Sequence, residues 1–89
     1  MAREIVFSSK FKRDIKQHYL ALAGIAWAEI LYHLAHDRPL PDKYRDLALS
    51  GEWAGCRDCH VKPDLVLINE KIDNDLVLIR LGTHAELFG

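Results

Sequence analysis

Leu65-Val66-Leu67-Ile68-Asn69-Glu70-Lys71-Ile72-Asp73-Asn74-Asp75-Leu76-Val77-Leu78-Ile79 holds two nearly identical apolar runs with a polar stretch between them. Each run is short and branched, as strands are. Asp73-Asn74 between them tolerates positive φ, so the segment predicts a β-hairpin. Runs without polar alternation belong to strands covered on both faces, which places this pair near the middle of a sheet.

Upstream, Arg3-Glu4-Ile5-Val6-Phe7 predicts a short first strand, and Ser8-Ser9 offers a helix N-cap. Phe11, Ile15 and Tyr19 then recur every four residues. After Gly24, which breaks the helical stretch or turns it, Trp27, Ile30, Leu31 and Leu34 repeat at i, i+3, i+4, i+7. Two helices joined so briefly predict an antiparallel helical hairpin. Pro39 and Pro41 end the second helix, residues 37–52 read as a loop, and Trp53 to Cys59 as a further strand. The order β-α-α-β-β-β predicts one α+β domain spanning residues 1–89. Its helical hairpin packs on one face of a mostly antiparallel sheet.

The 89 residues are 49% hydrophobic and carry net charge -1. That charge is uneven: residues 1–46 carry net +2 and residues 47–89 net -3. The balance excludes a globally basic nucleic-acid binder, so any RNA surface must be a local patch. Lys10, Lys12, Arg13 and Lys16 form one basic flank on the first helix. No apolar run approaches the roughly 20 residues of a membrane span. Met1-Ala2-Arg3-Glu4 leads into only three apolar residues, so no secretory leader is expected and the location expected is cytoplasmic, with no membrane partner.

Cys56-Arg57-Asp58-Cys59-His60 matches the C-x-x-C-H attachment signature of c-type haem. The lack of an export signal, a single methionine at position 1 and a strand-like setting weigh against that reading. Zinc lacks a second ligand pair, and redox thiols normally sit at a helix N-terminus. Two reduced, structural cysteines and no cofactor or metal are therefore expected. On a strand, Cys56, Asp58 and His60 share one face and Cys59 the other.

The reactive groups lie in separate segments: Asp58 with His60, then Asp64, then His84 with Phe88 in the terminal Gly82-Thr83-His84-Ala85-Glu86-Leu87-Phe88-Gly89. Two histidines suit proton transfer near neutral pH, one taking a proton while the other gives one. A carboxylate orients an imidazole, an aromatic stacks on a base, and Arg80 offers a bidentate grip on phosphate. These parts suit RNA cleavage without a metal, by attack of a 2′-oxyanion on the adjacent phosphorus. The helical His18, His33 and His36 read as surface or helix-end residues outside the chemistry.

Leu40-Pro41-x-x-Tyr44-x-Asp46, Leu49-x-Gly51-x-Trp53-x-Gly55, Arg57-Asp58-x-His60-Val61-x-Pro63-Asp64 and the terminal Gly82–Gly89 motif resemble the YafQ-type toxins of the RelE/ParE superfamily. The resemblance runs nearly end to end. It implies the small RelE/ParE-like α+β fold and a type II toxin that cuts mRNA on the translating ribosome. The family's active site maps onto His60, Asp64, His84 and Phe88, with Asp58 close by. Lys43, Arg45 and Arg57 join Arg80 as candidate substrate-binding cations. The partners implied are the 70S ribosome with its mRNA and a cognate antitoxin, commonly of ribbon-helix-helix type, through which operator DNA is bound.

Two departures stand out. Leu47 occupies the place of a family histidine that takes part in activity, which gives the alternative of a degenerate toxin that binds antitoxin with weak or no cleavage. Tyr44 and Lys43 lie on the same loop as candidate substitutes. The near-neutral charge also contrasts with basic family members. A gyrase-directed action on the same fold would leave the terminal His/Phe motif without a role.

Overall fold

A computed structural model describes residues 1–89. The chain runs β1 (Glu4–Phe7), α1 (Ser9–His18), a 3-10 segment (Tyr19–Ala23), α2 (Ile25–Ala35), β2 (Leu47–Ala48), β3 (Arg57–Lys62), β4 (Leu65–Ile72), β5 (Asp75–Gly82) and α3 (His84–Phe88). The sheet order is β1-β5-β4-β3-β2. β1 runs parallel to β5 and every other pair is antiparallel. No helix is long and apolar enough to cross a membrane.

The β4–β5 hairpin forms where its sequence directs. Ile72 pairs with Asp75, and Asp73 takes φ 52° in the two-residue turn. β4 is central and covered on both sides. Leu65 and Leu67 join Phe11, Trp27, Ile30 and Leu34 beneath the helices, whereas Val66 and Ile68 pack with Cys56 and Leu87 on the opposite face. Each such side chain contributes about 1.5–3 kcal/mol by leaving water. In β5 the register jumps from Asn69↔Leu78 to Ile68↔Arg80, leaving Ile79 as a bulge. The bulge flips the strand's parity, so Leu76, Leu78 and Leu81 all reach the helical layer.

α1 starts on the expected cap, with Ser8 Oγ accepting from the Phe11 N–H at 3.0 Å. It lies against β5 beyond the end of β1 and closes that strand's exposed edge with side chains. Ser8 Oγ donates to Ile79 O at 2.7 Å, and the Leu81 N–H donates to Asp14 Oδ2 at 2.9 Å. Phe11 of α1 stacks on Trp27 of α2 with ring centroids 6.0 Å apart.

Several boundaries depart from expectation. Trp53 lies in a 3-10 turn, and pairing runs from Arg57 to Lys62. Gly55, at φ 91°, interrupts the extended path between them. The 37–52 loop contains a 3-10 turn (Asp42–Tyr44) and the two-residue β2. Tyr19 is 64% exposed. α1 ends at His18, and the tighter 3-10 winding rotates Tyr19 off the face that Phe11 and Ile15 share.

Candidate active site

Strand alternation along β3 sends Cys59 and Val61 into the core beneath the helices and turns Asp58 and His60 to the opposite face. Cys56 packs on that opposite face, so the two thiols point apart, as the strand period requires. Both are buried, and burial pushes the Cys59 thiol up to about 12. The C-x-x-C-H motif is therefore split across the sheet, with its two thiols packed on opposite faces and His60 on the face of Asp58.

The sheet register sets the meeting of distant segments. Val66 in β4 pairs with His60 on one side and with Gly82 on the other. Two residues beyond Gly82, Thr83 caps α3 and His84 opens it. Gly82 leaves room for this close seat: a Cβ there would stand 2.9 Å from Glu86 Oε1 and 3.2 Å from Leu87 Cδ2, so both side chains would have to shift.

The imidazoles of His60 and His84 then meet, Nε2 to Nε2 at 3.2 Å. Asp64, in the turn between β3 and β4, takes two hydrogen bonds on one oxygen: His84 Nδ1–H donates at 2.7 Å and the His84 backbone N–H at 3.1 Å. These bonds hold the Asp64 carboxyl below its ordinary value, the side-chain bond from His84 being the largest cause. With Nδ1 committed as donor to Asp64, a neutral His84 turns its Nε2 lone pair toward His60 Nε2. Phe88 stands one turn beyond His84, its ring centroid 6.2 Å away and its side chain exposed.

Asp58 is 6% exposed and its Oδ1 has no partner; His60 Nδ1 is likewise buried without one. Burial raises the Asp58 carboxyl, while the nearby His60 and His84 pull it back. Leu47 pairs directly with Asp58 across β2–β3. Directly opposed residues share a face, so Leu47 lies on the same face of the sheet as Asp58 and His60.

The candidate cations separate into two groups. Lys43 and Arg45 lie beside His60, lining a cavity of about 340 Å³ with Tyr44, Val61, Lys62 and Pro63. Lys62 was missed by sequence reading; a register shift after His60 pairs it with Leu65 and breaks the simple alternation of the strand. Neither Arg45 nor Lys62 has a carboxylate partner, and Lys43 lies 3.7 Å from Glu29. Arg80 lies elsewhere, in a cavity of about 460 Å³ with Lys10, Arg13, Asp14, Gln17 and Glu86. Its guanidinium already grips Asp14 at 2.7 and 3.2 Å, so it is not a free phosphate fork. Arg57 is paired with Asp46 at 3.1 Å.

The family model described as "Bacterial toxin of type II toxin-antitoxin system, YafQ" matches residues 3–89. The mRNA interferase toxin YafQ of Escherichia coli is 38% identical over 89 residues, covering 98% of this chain and 97% of that protein. Among solved structures, the E. coli DinJ-YafQ toxin–antitoxin complex aligns with TM-score 0.83 and 36% identity over the whole of both chains. A copper-bound mutant toxin from Helicobacter pylori aligns with TM-score 0.86 and 35% identity, covering 97% of this chain and 99% of that one.

Proposed function

The chain belongs to the YafQ family of bacterial type II toxins, and we propose that it is an mRNA interferase working by acid–base chemistry at His60 and His84. The observation that carries this reading is the 3.2 Å approach of the two imidazoles with Asp64 on the far nitrogen of one. One imidazole takes the proton of a 2′-hydroxyl. The oxyanion so formed attacks the adjacent phosphorus. The other imidazole protonates the departing 5′-oxygen, leaving a 2′,3′-cyclic phosphate and a 5′-hydroxyl. Asp64 fixes the tautomer and angle of His84. Asp58 supplies a buried carboxyl behind His60, and the exposed Phe88 ring stacks on a base.

Lys43, Arg45 and Lys62, with no carboxylate lining their cavity, attract the RNA backbone beside His60. Arg57 and Arg80 already hold carboxylates and add to the field rather than forking a phosphate. The reading includes action on mRNA in the translating 70S ribosome, in the cytoplasm. It also includes neutralisation by a cognate antitoxin of ribbon-helix-helix type, which carries the complex to operator DNA.

Expression of the chain alone in bacteria tests this, with mRNA 5′ ends mapped after induction. Growth arrest with cuts inside codons is expected, and His84→Ala should abolish both. An equally toxic His84→Ala would remove the assignment.

One observation favours a second reading, a toxin that binds its antitoxin and cleaves weakly. Leu47 is 61% exposed on the site face and cannot move a proton. Leu47→His is then expected to raise cleavage by roughly 10²-fold, the contribution of one positioned proton-transfer group. Robust cleavage by the parent chain, unimproved by Leu47→His, would exclude this reading.

A further inference from the structure

α3 carries two of the site's residues, yet it is only five residues long. Helices this short do not persist by themselves. Its capping box works inside the helix: Thr83 Oγ1 accepts from the Glu86 N–H at 3.2 Å, and Glu86 Oε1 accepts from the Thr83 N–H at 2.8 Å. That box shapes the first turn and leaves its orientation on the sheet open.

Beyond the approach of His84 to His60, three anchors connect α3 to the rest of the molecule. Leu87 is buried with Cys56, Val66 and Ile68, an apolar and non-directional seat. Asp64 holds His84. His18, the last residue of α1, donates from Nε2 to Glu86 Oε1 at 3.0 Å, across 68 residues of sequence. Residues two apart on a helix do not face the same way. His84 and Glu86 are therefore gripped from different flanks, with Leu87 as the pivot between them. Asp64 and His60 hold α3 only on the His84 flank; His18 adds a grip on the Glu86 flank, and the two flanks together fix the roll. α1 is a firm reference for this grip, because Asp14 and Ser8 bind it to the strand that leads into α3. Phe88 lies four residues from His84 on the same helix face, so one roll angle sets both side chains.

We infer that His18 is a positioning residue for RNA cleavage, clamping α3 through Glu86 and so fixing where His84 and Phe88 stand against His60. This rests on the ribonuclease reading for its catalytic consequence and on the geometry alone for its mechanical one, and the test separates them.

In single-turnover cleavage of mRNA on ribosomes, His18→Ala should lower kcat roughly tenfold to a hundredfold, with KM nearly unchanged. His18→Gln, whose amide N–H reaches the same carboxylate, should restore most of the loss. Independently of catalysis, amide exchange is read at Leu87 and Gly89, whose N–H groups bond Thr83 O and Ala85 O. These amides should exchange about tenfold faster in His18→Ala, while the β4–β5 amides stay protected. Unchanged exchange at Leu87 and Gly89 overturns the clamp whether or not the toxin cleaves. A loss of kcat that His18→Gln does not restore, or that the whole sheet's exchange accompanies, also overturns it. If the parent chain does not cleave RNA yet the exchange result holds, the clamp stands and the ribonuclease reading fails.

Discussion

The two halves of the site are held by different physics. His60 projects from β3 against a central strand whose Leu65–Ile68 side chains are all buried, so its position follows from the core itself. His84 and Phe88 sit on a terminal helix with one buried side chain, Leu87, and a set of polar bonds: Asp64, Thr83 and His18. One half is fixed by apolar burial and resists local opening. The other is fixed by hydrogen bonds that water competes for, and it is the half that acts or fails by small displacements. A site divided this way can lose its geometry without losing its fold.

Substitutions in each half sharpen that contrast. Leu67→Ala, which empties a fully buried position in β4, should cost about 2–5 kcal/mol in urea unfolding. Phe88→Ala removes a half-exposed ring. It should leave the urea midpoint nearly unmoved while weakening productive RNA binding by about 1–3 kcal/mol, read as a loss of kcat/KM. If Phe88→Ala unfolds the chain as readily as Leu67→Ala, the division is wrong.

The two site carboxylates differ in the same sense, and pH separates them. Asp58 is buried without a partner for Oδ1, which raises its carboxyl above the unfolded value. Such a group costs stability once it ionises: stability is greatest below the unfolded pKa and declines as pH rises through the folded one. Asp58→Asn should therefore raise Tm by about 2–4 °C at neutral pH. That gain should vanish in acid, by calorimetry, while cleavage falls.

Asp64 and Glu86 show the opposite sign. Hydrogen bonds from His84 lower the first, and the Thr83 N–H and then His18 lower the second. Their contribution is present above the unfolded carboxylate pKa and is lost as pH falls through the folded values. At the far end of the molecule, Arg3 and Lys71 lower Asp37 from 3.8 to about 2. Acidification below the carboxylate range should thus release α3 amides to exchange before the Asp37 cluster yields and before β4–β5 opens. Simultaneous exchange of α3 and the sheet would mean that the terminal helix is no separate unit.

The amino-acid sequence determined what depends on neighbours a few residues away. The β4–β5 turn at Asp73-Asn74, the Ser8 cap, the α2 face and the parity that turns His60 away from Cys59 all follow from local periodicity and backbone preference. It also pointed to His60, Asp64, His84 and Phe88 as candidates, because the terminal motif and the His60–Asp64 segment carry them. Tertiary structure alone decided the partners. It brought His60 and His84 to 3.2 Å through the shared strand β4, where Val66 pairs with His60 on one side and Gly82 on the other. It gave Arg80 to Asp14, placed Lys62 among the cations beside His60, and made a helix-end histidine the clamp on α3. The three paired contacts join residues 24, 66 and 68 positions apart. Register and charge partnership are set by which distant surfaces the core presses together, and no local pattern along the chain encodes that choice.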